Sequence, residues 1–273
     1  MITFIHIPKT AGSTLRYILY RMYKPNQVFP VYSESATSAE IKISQLKVEQ
    51  PETISLILGH IPYGVFGKTD FANTFITVLR DPIDRIISHY YFVKRSPDHH
   101  LYSEIASQNL TLDEYVLSGI STELDNGQTR MLCDASSLDI PFGKCTESML
   151  KEAEFNVSNR IATVGLTEDF DRSIIFMKRM FGWRQPYYVS QNRSHSRSQK
   201  PEISPKIIEH IKEQNQYDIA LYEYARVLFY ERIRNQGNGF EQEVKHFQTM
   251  NRIFGKPYCS LHRVIQKYFY KYP

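Results

Sequence analysis

The chain has 273 residues, of which 42% are hydrophobic, and its formal net charge is +4. This length predicts one domain with some additions and a sizeable core. The small basic excess and the lack of a recognised nucleic-acid-binding motif argue against nucleic acid as a partner. A membrane-spanning helix is excluded because no run of about 18 apolar residues occurs. Three cysteines without metal spacing indicate reduced thiols, although Cys133 and Cys145 could pair with each other and leave Cys259 alone.

The first predicted elements are a strand at 3–7, a basic turn and a helix at 12–23. Pro8 ends the strand, and Leu15, Ile18 and Leu19 recur at helical spacing. The first N–H groups of a helix and its dipole attract an anion. The turn therefore predicts a site for a phosphate-bearing ligand, and its candidate residues are Lys9, Thr10, Ala11, Gly12, Ser13 and Thr14.

The position of the lysine in this turn limits the choice of ligand. In an ATP- or GTP-hydrolysing phosphate loop the lysine follows the second glycine, whereas Lys9 precedes Gly12 by three residues. The order therefore argues against an ordinary nucleotide hydrolase. A surface turn with a solvated lysine is the alternative.

Two further predicted strands end in polar residues. The strand at 54–59 is followed by His60, and the strand at 74–80 ends at Arg80. Asp81 and Pro82 are suited to begin a helix at 82–94, which carries Ser88 two turns from its start. Ligands of open α/β sheets bind at the carboxyl ends of the strands, where Lys9 and Arg80 would meet. Alternatively, Arg80 pairs with a helix carboxylate and only holds its loop.

The remaining elements complete an α/β pattern. Residues 95–150 contain no clear strand and predict an insertion at the edge of the sheet, with a capping box at Thr111 that opens a short helix. A strand at 160–164 and helices at 167–181 and 205–234 follow. The alternation predicts a doubly wound parallel sheet of the P-loop type, flanked by helices. Between these helices, the basic stretch 184–200 is either a lid over a nucleotide, through Arg193 and Arg197, or a plain linker.

The last residues suggest a separate unit. We assign 1–240 to a single domain and 241–273 to a basic helical extension packed on it. Six lysines and arginines against two glutamates lie in this extension, beside an apolar stripe that begins at Leu261. A basic amphipathic helix can lie on a membrane surface or hold an anionic partner. We favour the other interpretation, a helix that packs on the core with its charges in water.

The two phosphate-site elements carry a family resemblance. The segments HIPKTAGST and LRDPIDRIISHYY resemble the 5′-phosphosulfate loop and the 3′-phosphate motif of sulfotransferases that use 3′-phosphoadenosine 5′-phosphosulfate (PAPS). They are most similar to the carbohydrate-type branch, which includes the heparan sulfate 2-O-sulfotransferases. The segments GHIPYGVF, DNGQTRML, VGLTEDFDRSIIFM and DIALYEYA stand in the order that this family has. The resemblance extends from about residue 3 to about residue 230.

This resemblance implies an activity and a set of roles. PAPS would be the donor and 3′,5′-adenosine bisphosphate (PAP) the product, with no metal. Lys9 would stabilise the leaving group and the loop N–H groups would hold the 5′-phosphate, while Arg80 and Ser88 would grip the 3′-phosphate. His60 would be the general base, unless it is only a capping or supporting histidine. The competing bases are His6, Glu34 and Glu40.

The acceptor is expected to be a hydroxylated molecule, with polysaccharide and glycolipid before a small metabolite or tyrosine. Asn126, Gln128 and Arg130 are the candidates that face it. The first strand begins almost at Met1, so we expect a cytoplasmic protein of the bacterial type, in contrast to the Golgi-anchored animal enzymes. A P-loop-type kinase or hydrolase and a non-catalytic nucleotide-binding module are the alternative functions. The sequence does not indicate the oligomeric state.

Overall fold

The computed structural model describes residues 1–32, 39–43, 53–68, 73–189 and 203–265. Its centre is a five-stranded sheet in which every neighbouring pair is parallel, in the order β2-β3-β1-β4-β5. The strands are almost continuously apolar, as is typical of a parallel sheet covered on both faces. They span Ile2–Ile5 (β1), Val28–Val31 (β2), Leu56–Gly59 (β3), Thr74–Leu79 (β4) and Ile161–Leu166 (β5).

Helices cover the sheet and fill the predicted insertion. None of them, in the described part of the chain, combines the length and the apolar character that a membrane span needs. The predicted doubly wound parallel fold is confirmed. The helices span Gly12–Met22 (α1), Pro82–Lys94 (α2), Tyr102–Ser107 (α3), Leu112–Leu117 (α4), Gly127–Leu132 (α5), Glu147–Asn159 (α6), Phe170–Phe181 (α7), Pro205–Gln214 (α8), Gln216–Arg234 (α9) and Phe240–Ile265 (α10).

Two elements differ from the sequence prediction. Strand β2 was not predicted, because Pro30 interrupts its short apolar run. Proline lacks the N–H that a central strand needs, but β2 is an edge strand and tolerates it. The helix predicted at 205–234 is two helices, since the backbone leaves helical geometry at Asn215 (φ −117°, ψ 32°).

The insertion packs through a hydrophobic cluster of its own. Tyr115 and Val116 of α4 and Ile105 of α3 are buried against Ile86 and Tyr90 of α2. Within the insertion's residues the structure has no strand, as the sequence predicts. Because α2 begins directly after β4, this packing brings the insertion to the carboxyl end of a central strand.

The C-terminal helix α10 begins at Phe240 and packs on α7. Phe240 and Val244 are buried, and Glu243 pairs with Lys178 and with Arg179 (2.7 Å) of α7. Leu261, where the predicted apolar stripe begins, is 60% exposed. The side chains of residues 263–265 and the whole of 266–273 lie outside the description, so contact with a membrane stays a prediction.

Candidate active site

The turn after β1 is a tightly folded loop. Lys9 and Ala11 both have left-handed backbone angles (φ 69° and 62°). The Thr10 hydroxyl donates to the Ile7 carbonyl (2.9 Å) and fixes the return of the chain. Gly12 is required because a Cβ there would lie 2.0 Å from Cδ2 of His6. The loop thus folds back over the end of its own strand.

The start of α1 offers N–H groups to a ligand. Its first hydrogen bonds are donated by Thr14 (2.9 Å) and Leu15 (3.2 Å), both to the Ala11 carbonyl. The N–H groups of Gly12 and Ser13 come before these and belong to the donors that a helix start leaves without intrahelical partners. Together with the helix dipole they form a cradle for an anion.

Lys9 lies against an aromatic ring of α2. Its Nζ is 3.8 Å from the centroid of the Phe92 ring. Burial lowers the pKa of Lys9 to about 8, with further lowering by Arg95 and Arg80, and the carboxylate of Glu123 opposes this effect. The ammonium therefore loses its proton far more readily than a surface lysine does.

Arg80 meets Lys9 at the same edge of the sheet. Its Nη1 donates to the Lys9 carbonyl (3.2 Å), as the convergence of strand ends predicts. Gln128 binds both polar groups of the Arg80 backbone: its Oε1 accepts from the N–H and its Nε2 donates to the carbonyl, each at 2.9 Å. Ser88 lies two turns into the helix that follows Arg80 and is half-buried.

Two helices that meet end to end hold Gln128 in place. The carboxylate of Asp218, near the start of α9, accepts from the N–H groups of Gln128 (3.0 Å) and Thr129 (2.7 Å) at the start of α5. In return, Asn126 Oδ1 accepts from the N–H groups of Tyr217 (2.9 Å) and Asp218 (3.0 Å). Each helix start thus supplies the side chain that caps the other. Through this exchange the segments DNGQTRML and DIALYEYA fix the position of Arg80.

The three residues expected to face the acceptor are internal instead. The exposed fractions of Asn126, Gln128 and Arg130 are 3%, 0% and 1%. Arg130 pairs with Asp125 (2.6 Å) and also donates to the carbonyls of Asp125, Ser137, Ile140 and Pro141 (2.6–3.1 Å). Their polar atoms are used to organise the insertion, because a buried polar group must be satisfied inside the protein. This differs from the sequence interpretation, which placed them at the acceptor.

His60 follows β3 and contacts the first strand. Its Nδ1 is 2.6 Å from the His6 carbonyl, which can only accept, so Nδ1 carries the proton and Nε2 is the basic nitrogen. Burial lowers the pKa of His60, although the bond to His6 and the charge of Glu123 oppose this. The ring of Tyr32 lies 5.1 Å from the His60 ring, and Arg16 donates to the Tyr32 hydroxyl (3.2 Å).

Sequence reasoning missed an acidic group at this site. Glu123 lies in a 3₁₀ turn, Thr122–Leu124, and its carboxylate is 2.9 Å from Nε2 of His89 on α2. Burial would raise the pKa of Glu123, but His89, Arg85 and His60 outweigh it and hold the pKa below its ordinary value. In the sequence, the one indication of this pair is His89, which directly follows Ser88, a predicted ligand of the 3′-phosphate. Nothing local connected Glu123 to it.

Three of the predicted residues have no described position. Arg193, Arg197 and Glu34 are outside the described residues. Glu40 is half-buried in the helical stretch 39–43. The structure has all three cysteines as free thiols, including the buried Cys133.

A parallel α/β sheet whose first loop and helix start present N–H groups suited to an anion, with a lysine and an arginine meeting beside them, is typical of the phosphate-binding-loop class. A family model described as galactose-3-O-sulfotransferase matches residues 1–259. The chain belongs to this sulfotransferase family, and the resemblance stated from the sequence is confirmed.

Similar proteins support the carbohydrate-type branch. A Drosophila melanogaster protein named heparin sulfate O-sulfotransferase is 25% identical over 261 residues, which are 82% of this chain and 72% of the fly protein. Heparan sulfate 2-O-sulfotransferase 1 of Xenopus laevis is 25% identical over 230 residues, 75% of this chain and 62% of the relative. The human protein of the same name is 25% identical over 222 residues, 72% of this chain and 60% of the relative. The chain thus spans less than two thirds of these vertebrate relatives.

Proposed function

We propose that the chain transfers a sulfuryl group from PAPS to a hydroxyl of a carbohydrate acceptor. The observation that carries this proposal is the contact between the two cationic strand ends, in which Arg80 Nη1 donates to the Lys9 carbonyl at 3.2 Å. Two cationic side chains that meet at one edge of the sheet suit an adenosine with phosphates at both the 5′ and the 3′ position. Membership of the sulfotransferase family supports the choice of donor.

The donor would be held by the loop and by α2. The N–H groups of Thr10 to Thr14 would bind the 5′-phosphate, and Arg80 with Ser88 would bind the 3′-phosphate through charge-assisted hydrogen bonds. The His6 ring, packed where a Cβ of residue 12 would be, keeps the loop backbone in its tight form. Arg193 and Arg197 remain candidates for closing over the nucleotide.

The transfer step assigns a proton and a charge to two side chains. The acceptor oxygen forms a bond to sulfur as the bond between sulfur and the 5′-phosphate oxygen breaks, with entry and departure in line as in phosphoryl transfer. Nε2 of His60 takes the hydroxyl proton, because Nδ1 is already bonded to the His6 carbonyl. The Lys9 ammonium stabilises the negative charge that grows on the departing phosphate oxygen. The products are a sulfate ester and PAP.

The acceptor side is aromatic and cationic. The rings of Tyr32 and His60 are in contact, and the Arg16 guanidinium lies 5.5 Å from the centroids of the Tyr17 and Tyr32 rings. Aromatic faces suit sugar rings, and the relatives are named for a sulfated polysaccharide. A polysaccharide or glycolipid is therefore the proposed acceptor. Metal independence and a cytoplasmic location stay predictions.

A single assay tests the function. The protein is incubated with ³⁵S-labelled PAPS and a panel of polysaccharides and glycolipids, with EDTA or Mg²⁺, and a parallel arm measures ATP turnover. Label transfer in EDTA supports the proposal. Turnover of ATP that requires Mg²⁺ would favour a kinase or hydrolase, and tight binding of PAP without transfer would favour a binding module.

The base assignment has its own control. His60→Gln is expected to abolish transfer while PAP binding, measured by calorimetry, stays near that of the wild type. His246→Gln changes an exposed histidine of α10 and should leave the rate unchanged. A His60→Gln variant with the wild-type rate would remove His60 as the base.

A further inference from the structure

The carboxylate of Glu123 lies at the edge of the site, and buried neighbours hold Glu123 in place. Its partner His89 is buried, with 2% of the side chain exposed, whereas 32% of the Glu123 side chain is exposed. The Tyr115 hydroxyl is 2.6 Å from Nδ1 of His89, and Arg85 donates to the Glu123 carbonyl. The two ring nitrogens of His89 thus face the Tyr115 hydroxyl and the Glu123 carboxylate. The pKa of the Glu123 carboxyl stays below its ordinary value, so the carboxylate keeps its negative charge.

A row of rings connects this carboxylate to Lys9. The Lys9 ammonium lies on Phe92, whose ring is 5.6 Å from the ring of His99, and His99 is 5.7 Å from His89. Lys9 and Glu123 are therefore at the two ends of one aromatic row on α2 and the start of the insertion. The Glu123 charge acts on Lys9 at one side and on His60 at the other, raising the pKa of each.

Among the residues that the structure describes, the other charged groups that act on Lys9 and His60 are mainly cationic. Arg80 and Arg95 act on Lys9 and lower its pKa. Arg16 does the same to His60, and the His6 ring is 4.5 Å from the ring of His60. The described groups that face Glu123 itself are, by contrast, cations, imidazoles and a hydroxyl, namely Lys9, Arg85, His60, His89, His99 and Tyr115.

We propose that Glu123, held by His89, is a positioning residue that provides the counter-charge of the transfer site. Its carboxylate keeps the proton on Lys9 and keeps His60 basic enough to accept one. The inference rests on the proposed function, since it assigns Glu123 a part in that reaction. It adds a role for a residue that the loop motifs do not contain.

The direct test measures titration without any turnover. Histidine and lysine labelled with ¹³C are titrated by NMR in the protein without ligand, with His60→Gln and Lys9→Met assigning the two signals. In Glu123→Gln, both midpoints are expected to fall by about one pH unit, because a nearby opposite charge has been removed. Glu147→Gln makes the same change at a side chain that is 69% exposed on α6 and should move neither midpoint.

A second neutral variant keeps the test possible if Glu123→Gln does not fold. Glu123→Ala keeps the carbonyl that Arg85 binds, and it carries the same expectation if Glu123→Gln does not fold. Glu123→Asp retains the charge and should bring both midpoints back towards those of the wild type. Unchanged midpoints in a folded neutral variant would overturn the proposal.

The pH profile of kcat/KM gives the second measurement. Lys9 must be protonated and His60 neutral, so lowering both pKa values moves the whole bell-shaped profile to lower pH. Glu123→Gln should lose about tenfold in kcat/KM on the alkaline side, since a shift of one unit changes the protonated fraction tenfold. A purely structural role would lower the profile without moving it.

The two measurements separate this inference from the function on which it rests. If the midpoints move but the wild type transfers no sulfate, the proposed reaction is wrong and the electrostatic role stands. If sulfate is transferred and the midpoints stay fixed, the reaction stands and the role of Glu123 is wrong.

Discussion

The loops after β1 and β4 and the insertion at 95–150 contribute to one site in different ways. In the loops, the position of a residue next to a strand end determines its place, so Lys9 and Arg80 converge as the sequence predicts. In the insertion, Arg130 is buried, whereas Glu123 is partly exposed and pairs with His89 on α2. In the loops, the order of residues along the chain thus determines which side chains reach the site. In the insertion, contacts between distant segments determine it. Substitutions in the two regions should therefore differ in whether they change the rate or the stability.

Arg130→Met should have the largest effect, and on stability. The substitution removes the Arg130 donors from the Asp125 carboxylate and from four carbonyls, and breaking a buried pair costs about 3–5 kcal/mol. Urea unfolding measures this loss. Arg226→Met, at an exposed pair with Glu223, should leave the free energy of unfolding almost unchanged. If Arg130→Met is as stable as Arg226→Met, Arg130 does not organise the insertion.

Lys9→Met should affect the rate and leave stability almost unchanged. Removing one preorganised donor from the developing charge lowers kcat by about 10²–10³. The free energy of unfolding should stay within about 0.5 kcal/mol of the wild type, because the buried ammonium is itself costly. Steady-state kinetics and urea unfolding provide the two values, with the exposed Lys151→Met as control. A loss of stability that matches the loss of rate would place Lys9 with the structural residues.

Lys9 and Arg130 show which parts of the site can be predicted from the sequence and which cannot. Lys9 and Arg80 follow the carboxyl ends of two parallel strands, and these ends lie at the same edge of the sheet. The phosphate loop and the sheet could therefore be predicted. Strand β2 could not, because Pro30 is acceptable only at an edge that the sequence does not identify. Polar residues in the insertion gave no indication of whether they point inward, and so Gln128 and Glu123 received the wrong role or none.

Gln128→Ala should mainly weaken donor binding. It removes both side-chain partners of the Arg80 backbone, and an unsatisfied buried group costs about 1–3 kcal/mol. We expect the KM for PAPS to rise about tenfold, with a smaller change in kcat, since Lys9 and His60 are untouched. Gln108→Ala, at an exposed glutamine, is the matched control. An unchanged KM would mean that Arg80 is positioned without the help of the insertion.

The pH dependence of the wild type follows from Lys9 and His60. The lysine must be protonated and its pKa is about 8, so kcat/KM should fall above that pH, by about tenfold at pH 9. The acidic limb should lie below the ordinary histidine range, because burial lowers the pKa of His60. Initial rates from pH 5 to 10 measure both limbs. A flat profile between pH 7 and 10 would contradict a required Lys9 ammonium with a pKa of about 8.

Phe92→Leu should give the smallest change and bears on both regions at once. Loss of the contact between the ring and the Lys9 ammonium removes about 0.5–1 kcal/mol of stabilisation from the charged form. The pKa of Lys9 falls further, so the alkaline limb should move to lower pH with a loss of a few-fold in kcat/KM at pH 8. Phe92→Tyr keeps the ring and should keep the limb in place. The Phe92 ring also contacts His99, at the start of the insertion. If Phe92→Leu moved the acidic limb as well, the insertion would influence the pKa of His60 through this row of rings, and not only through the charge of Glu123.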